Sequence, residues 1–210
     1  MNQLTETLTP LRADLEQRLA QKGLRLQSRP TVSHLRSGVQ ELDQFLGGGL
    51  RWGEISEWGL PLGKEGRRWV LPYLKAASQK NWCLWVSGYQ DAEVFPPAFF
   101  AQGVRPERLV FAQSRRPVQE LHAALIHSLF KLIVLDGSQG LTPGALAFLE
   151  SKAREQRQAI LVLRPFLLSN NQGNVWAKFR VNGWREPSGS YLLRSLRGLS
   201  QAELRCPGFS

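Results

Sequence analysis

Trp58-Gly59-Leu60-Pro61-Leu62-Gly63-Lys64-Glu65-Gly66-Arg67-Arg68 is the stretch that decides how this chain folds. Its lead-in runs from Ser37-Gly38 through Leu42-Asp43, Leu46-Gly47-Gly48-Gly49-Leu50, and Gly53 to Ile55-Ser56-Glu57, the approach to a phosphate-binding loop. A working loop reads Gly, four residues, Gly-Lys, then Ser or Thr, so that backbone N–H groups cradle phosphates and the hydroxyl ligates magnesium. Setting Gly63-Lys64 on the Gly-Lys pair leaves the loop one residue short after Gly59 and puts Glu65 at the hydroxyl position. Setting Gly66-Arg67 there makes it two residues too long and puts Arg68 at that position, with a planar guanidinium in place of the lysine ammonium. Neither register supplies the hydroxyl. Two readings are open: a retained anion site on Gly59, Gly63, Lys64, Gly66, Arg67 and Arg68 ahead of a helix N-terminus, or a strand-to-helix turn with solvated charges.

Downstream, apolar runs alternate with helical periodicity. Trp69 to Gln79, Ala98 to Gln102, Val118 to Phe130 (with Leu121, Leu125 and Leu129 on one side) and Ala145 to Gln156 are expected helices. Trp82 to Ser87, Leu109 to Ala112, Leu132 to Asp136 and Ala159 to Leu163 are short apolar strands of the kind buried on both faces. This rhythm predicts an α/β fold with a mostly parallel sheet covered on both sides. Val175 to Val181 and Tyr191 to Leu196, around Asn182-Gly183 and Pro187-Ser188-Gly189, predict a C-terminal β-hairpin. Leu4, Leu8, Leu11, Leu15 and Leu19 share one face of an N-terminal helix, capped by Thr9-Pro10, that packs on the protein's own core or in a partner's groove. The expected division is residues 1–33 as this helix and a linker, 34–182 as the core, and 183–210 as a basic hairpin and tail.

At 210 residues, with 42% hydrophobic and 21% charged residues, the chain can bury a full core and is not of disordered composition. No apolar run reaches membrane-span length and Met1 to Glu6 lacks signal-peptide character, which predicts a cytoplasmic protein with no membrane partner. Two cysteines far apart, and His34, His122 and His127 without ligand spacing, predict neither a disulfide framework nor a metal site. The net charge of +10 favours a polyanionic partner, and residues 151–210 carry ten basic residues against three acidic ones. There Trp176, Lys178, Phe179, Arg180, Trp184, Arg185 and Tyr191 interleave aromatics with cations, as surfaces for single-stranded nucleic acid do. Strand alternation places Trp176, Lys178 and Arg180 on one face and Ala177, Phe179 and Val181 on the other. The alternative is a hairpin whose aromatics pack and whose cations are solvated.

The lead-in from Ser37 to Gly59 resembles the entry to the RecA recombinase core, Leu132-Ile133-Val134-Leu135-Asp136 resembles its Walker B strand, and Gly140-Leu141-Thr142-Pro143 resembles the segment after that strand. Phe95-Pro96-Pro97-Ala98, Gly103-Val104, Pro106-Glu107-Arg108-Leu109 and Leu163-Arg164-Pro165 are similar to the ImuA-type branch of RecA-like proteins, accessories of a bacterial damage-induced translesion polymerase set. Leu71-Pro72 through Trp82 and Leu84-Trp85 are also similar to SulA-type division inhibitors. The resemblance covers residues 35 to 182. It implies a RecA-like three-layer core, a magnesium-linked role for Asp136 in a working relative, and partners that include single-stranded DNA, RecA and a translesion polymerase subunit. It further implies DNA contacts by Asn170 and Asn171, in the short counterpart of RecA's second DNA-binding loop. With Trp176, Lys178, Arg180, Arg185, Arg194 and Arg197, these form the candidate DNA surface. The broken loop argues for a non-enzymatic protein with no cofactor; the alternatives are a residual ATPase using magnesium and a SulA-like division inhibitor.

Overall fold

Six consecutive parallel strands form the body of the sheet in a computed structural model that describes residues 33–90, 94–171 and 173–207. In chain order the elements are β1 (His34–Leu35), α1 (Gln40–Phe45), β2 (Leu50–Arg51), β3 (Ile55–Gly59), a 3-10 turn (Gly66–Trp69), α2 (Leu71–Ser78) and β4 (Trp82–Ser87). Next come α3 (Pro96–Phe100), β5 (Leu109–Gln113), α4 (Pro117–Glu120), α5 (His122–Ile126), β6 (Phe130–Asp136), α6 (Pro143–Gln156) and β7 (Ala159–Arg164). β8 (Arg180–Arg185), β9 (Tyr191–Arg197) and β10 (Glu203–Cys206) complete it.

The large sheet runs β10-β9-β8-β3-β7-β6-β4-β5. From β8 to β5 every pairing is parallel, while β9 and β10 add an antiparallel edge. Because a strand alternates its side chains, each apolar run supplies two cores. Trp58, Trp85, Leu132, Val134, Leu161 and Leu163 face one side with Leu42 and Phe45 of α1 and Tyr73 and Leu74 of α2. Leu84, Val86, Ile133, Leu135, Ile160 and Val162 face the other with Leu125 of α5 and Leu146, Leu149 and Ala153 of α6. The result is a mixed, mostly parallel sheet with helices, compatible with a three-layer α/β core. Parallel direction has a functional consequence: the carboxyl ends of β3, β4, β6 and β7 share one rim, the edge at which open α/β sheets hold ligands.

Three expectations fail locally. The helix over Val118 to Phe130 breaks into α4 and α5 at Leu121 (φ −116°, ψ 25°); His127 is extended so that the chain can enter β6 at Phe130, and Leu129 is left exposed. Asn182-Gly183 is no turn but lies within β8, where Asn182 pairs with Gly59, so the expected boundary at 182/183 cuts a strand. The hairpin does turn at the expected Pro187-Ser188-Gly189, but β8 begins only at Arg180, so residues 175–179 are not strand. The leucine stripe from Leu4 to Leu19 lies outside the described residues. Among the described residues no helix is long and apolar enough to cross a membrane.

Candidate functional site

β3 delivers the loop to the carboxyl-end rim. Gly59 is required there by a close approach: a Cβ would collide with Asn182 Oδ1 and come within 2.8 Å of the Phe166 carbonyl. The Asn182 side chain fills that space as a backbone mimic, accepting from Leu168 N (2.7 Å) and donating to Leu168 O (3.1 Å). Gly63 takes a left-handed φ of 71°, and so, at a steric cost, does Glu65 (φ 51°) at the tip.

Arg67 then turns inward. Its Nε donates to Asp136 Oδ2 (2.9 Å) and its Nη2 to Asp136 Oδ1 (2.8 Å), a bidentate pair between the loop and the acid that ends β6. Nη1 donates to Leu60 O (2.8 Å), Nη2 also to the Tyr89 hydroxyl (2.6 Å), and that hydroxyl donates to Asp136 Oδ1 (3.2 Å). Burial costs the guanidinium, but hydrogen bonds and the charge of Asp136 outweigh it and hold the Arg67 pKa above the ordinary arginine value. Burial, then the Asp136 charge, pushes the Tyr89 phenol up to about 12, so it stays a neutral donor. Asp136 thus serves neither as a free metal ligand nor as a helix cap; it is the anchor of an arginine.

The loop tip is consumed in the same way. Glu65 Oε1 accepts from Arg185 Nη1 (2.6 Å), Oε2 accepts from the Tyr191 hydroxyl (2.7 Å), and Arg68 Nε lies 3.2 Å from Oε2. Tyr191 and Arg185 hold the Glu65 carboxyl below the usual carboxylate range. Of the cations Lys64, Arg67, Arg68 and Arg185, only the exposed Lys64 has a charged end that no described partner engages. A magnesium nucleotide does not fit these residues: both Asp136 oxygens are bound to arginine, no Ser or Thr follows Lys64 or Arg67, and a carboxylate sits at the tip. Among the described residues no group of His, Cys, Asp or Glu is arranged to hold a metal.

The candidate DNA residues are not gathered into one face. Arg180, expected on an exposed face, is 3% exposed: its Nε donates to Glu57 Oε2 (2.9 Å) and its Nη1 to Ser169 O (3.0 Å). Glu57 also accepts from Arg164 Nε (3.1 Å) and Asn174 N (3.2 Å), so an acid in β3 binds arginines from β7 and β8. Arg194 pairs with Glu203 and lies over Trp184, and Arg197 donates to the carbonyls of Asn174 and Ala177. Asn170, Asn171, Trp176 and Lys178 are exposed. Lys178 N donates to Ile55 O at the start of β3, whereas Arg185 N donates to Lys64 O beyond its end. Strand rise separates these two rims by roughly 20 Å.

The carboxyl-end rim also holds an open cavity of about 550 Å³ lined by Leu62, Tyr89, Gln90, Arg115, Ser138, Gln139, Arg164 and Phe166. Sequence pattern does not mark Glu57, Tyr89 or Arg115; a charged residue directly ahead of Trp58 in the short strand Ile55–Gly59 is the one available signal, and it points only to Glu57. Compared with protein-family models and with curated proteins, the chain matches none.

Proposed function

We propose that this chain is a non-catalytic, RecA-like accessory protein of the bacterial DNA-damage response, binding DNA and protein partners in translesion synthesis. The partners it would meet are RecA or a translesion polymerase subunit, and it would work in the cytoplasm without a cofactor. The observation that carries the non-catalytic half is the bidentate Arg67–Asp136 pair: the guanidinium neutralises the acid that a magnesium ion would need. A loop closed on itself supports a fold retained for binding.

The DNA half rests on the net charge of +10 and on exposed Lys64, Lys178 and Trp176, with the ImuA resemblance naming the context. Single-stranded DNA binding measured by fluorescence anisotropy is expected to weaken more than about tenfold between roughly 50 and 200 mM salt, because contacts to phosphates release counterions. Absence of binding at the lowest salt sinks this half of the proposal.

A further inference from the structure

The geometry points to a second anion site beside the closed loop: the rim cavity takes a nucleotide unit, its phosphate on Arg115 and its base against Phe166 and Leu62, without magnesium. Charge is the first argument. Arg115 and Arg164 line the cavity, and among the described residues no carboxylate does. Arg164 is committed to Glu57 and donates to Ser138 O (3.4 Å). Arg115 differs: it is exposed, and no described hydrogen bond or ion pair engages its guanidinium. A planar guanidinium on a cavity wall, engaged by no described side chain, suits a phosphate, which it can hold bidentately.

Shape is the second argument. Phe166 and Leu62 are 56% and 55% exposed and line the same cavity, which leaves apolar surface in the cavity that Arg115 also lines. Such pairing of an aromatic face with an arginine is how bases of unstacked nucleotides are held. The wall adds polar groups at its inner side. Gln90 and Gln139 line it, and Ser138, itself 3% exposed, has a hydroxyl with no hydrogen-bond partner among the described residues. The Arg67–Asp136 pair borders this cavity through Tyr89, so the ligand lies next to the old loop and does not enter it.

The site rests on the DNA-binding proposal and deepens it by naming where one nucleotide of a strand would seat, though a free nucleotide offers the same chemistry. The test uses the full chain in EDTA, titrated with thymidine 5′-monophosphate, with inorganic phosphate and with an oligothymidylate. Arg115→Ala is expected to weaken the mononucleotide and the oligonucleotide by about tenfold, the value of one charge-assisted contact, and Phe166→Ala by several-fold, with Arg115→Lys recovering part of the loss. Lys80→Ala, exposed in the turn ahead of β4 on the opposite rim, leaves the mononucleotide affinity unchanged. Both test residues are exposed, and unchanged thermal melts verify that the variants fold. Oligonucleotide binding indifferent to Arg115→Ala and Phe166→Ala overturns the site while leaving DNA binding in place. Mononucleotide binding that needs Arg115, with no oligonucleotide binding, upholds the site and removes the DNA proposal. No saturable binding of either at about 10 mM, beyond any useful affinity, overturns the site.

Discussion

Glu57→Ala is expected to destabilise the fold by about 3 to 5 kcal/mol, the range for removing one partner of a buried ion pair. Glu57 is 2% exposed and joins three neighbouring strands: it sits on β3, binds Arg164 of β7 and Arg180 of β8, and accepts from the Asn174 amide in the connection between them. Deleting the carboxylate strands the Arg180 guanidinium, whose side chain is 4% exposed, away from its counter-charge. Glu57→Gln keeps the volume but turns one acceptor into a donor that faces a guanidinium, so a smaller loss of about 2 kcal/mol is expected. Replacing Glu57 and Arg180 together by methionine removes both charges, and much of the loss should return. Urea denaturation of the full chain measures all three. A Glu57→Ala variant within about 1 kcal/mol of the parent would show that the carboxylate is not the tie described.

Arg67→Met is expected to cost about 2 to 4 kcal/mol, because it leaves Asp136, whose side chain is 6% exposed, without its counter-charge. The Arg67 side chain is 24% exposed, so solvent tempers the loss below that for Glu57. Arg67→Lys separates charge from geometry. An ammonium keeps the charge but cannot reach Asp136, Leu60 O and Tyr89 at once, so about 1 to 2 kcal/mol should still be lost. A double-mutant cycle with Asp136→Asn isolates the pair, and a coupling energy near zero would contradict the bidentate assignment. Arg67→Lys also restores the lysine of the loop motif. It should not restore ATP hydrolysis, since Arg68 still stands where a hydroxyl is needed.

The strands were legible because burial on both faces writes an unbroken apolar run: Trp82 to Ser87 and Leu132 to Asp136 stand out by pattern alone and fall within β4 and β6. The broken loop was legible as a set of residue types. What Arg67 does was not, for its partner Asp136 lies 69 positions away and only the fold brings β3 and β6 to one rim. The burial of Arg180 is hidden from the sequence for a related reason. Arginines are seldom buried, and the acid that makes burial tolerable, Glu57, is 123 positions earlier. Leu121, Leu125 and Leu129 kept helical spacing through a segment that breaks, because entry into β6 at Phe130 outweighed local periodicity. Charge alone marked the tail as basic, but could not reveal that Arg185, Arg194 and Arg197 each serve an internal acceptor.

Phosphate release from ATP with magnesium, assayed with and without single-stranded DNA, decides whether the loop, closed by Arg67 and Asp136, has any catalytic use. The expected rate equals that of Asp136→Ala under the same conditions, at the background of the uncatalysed reaction. Magnesium-dependent turnover that DNA stimulates and Asp136→Ala abolishes would contradict a closed, non-catalytic loop.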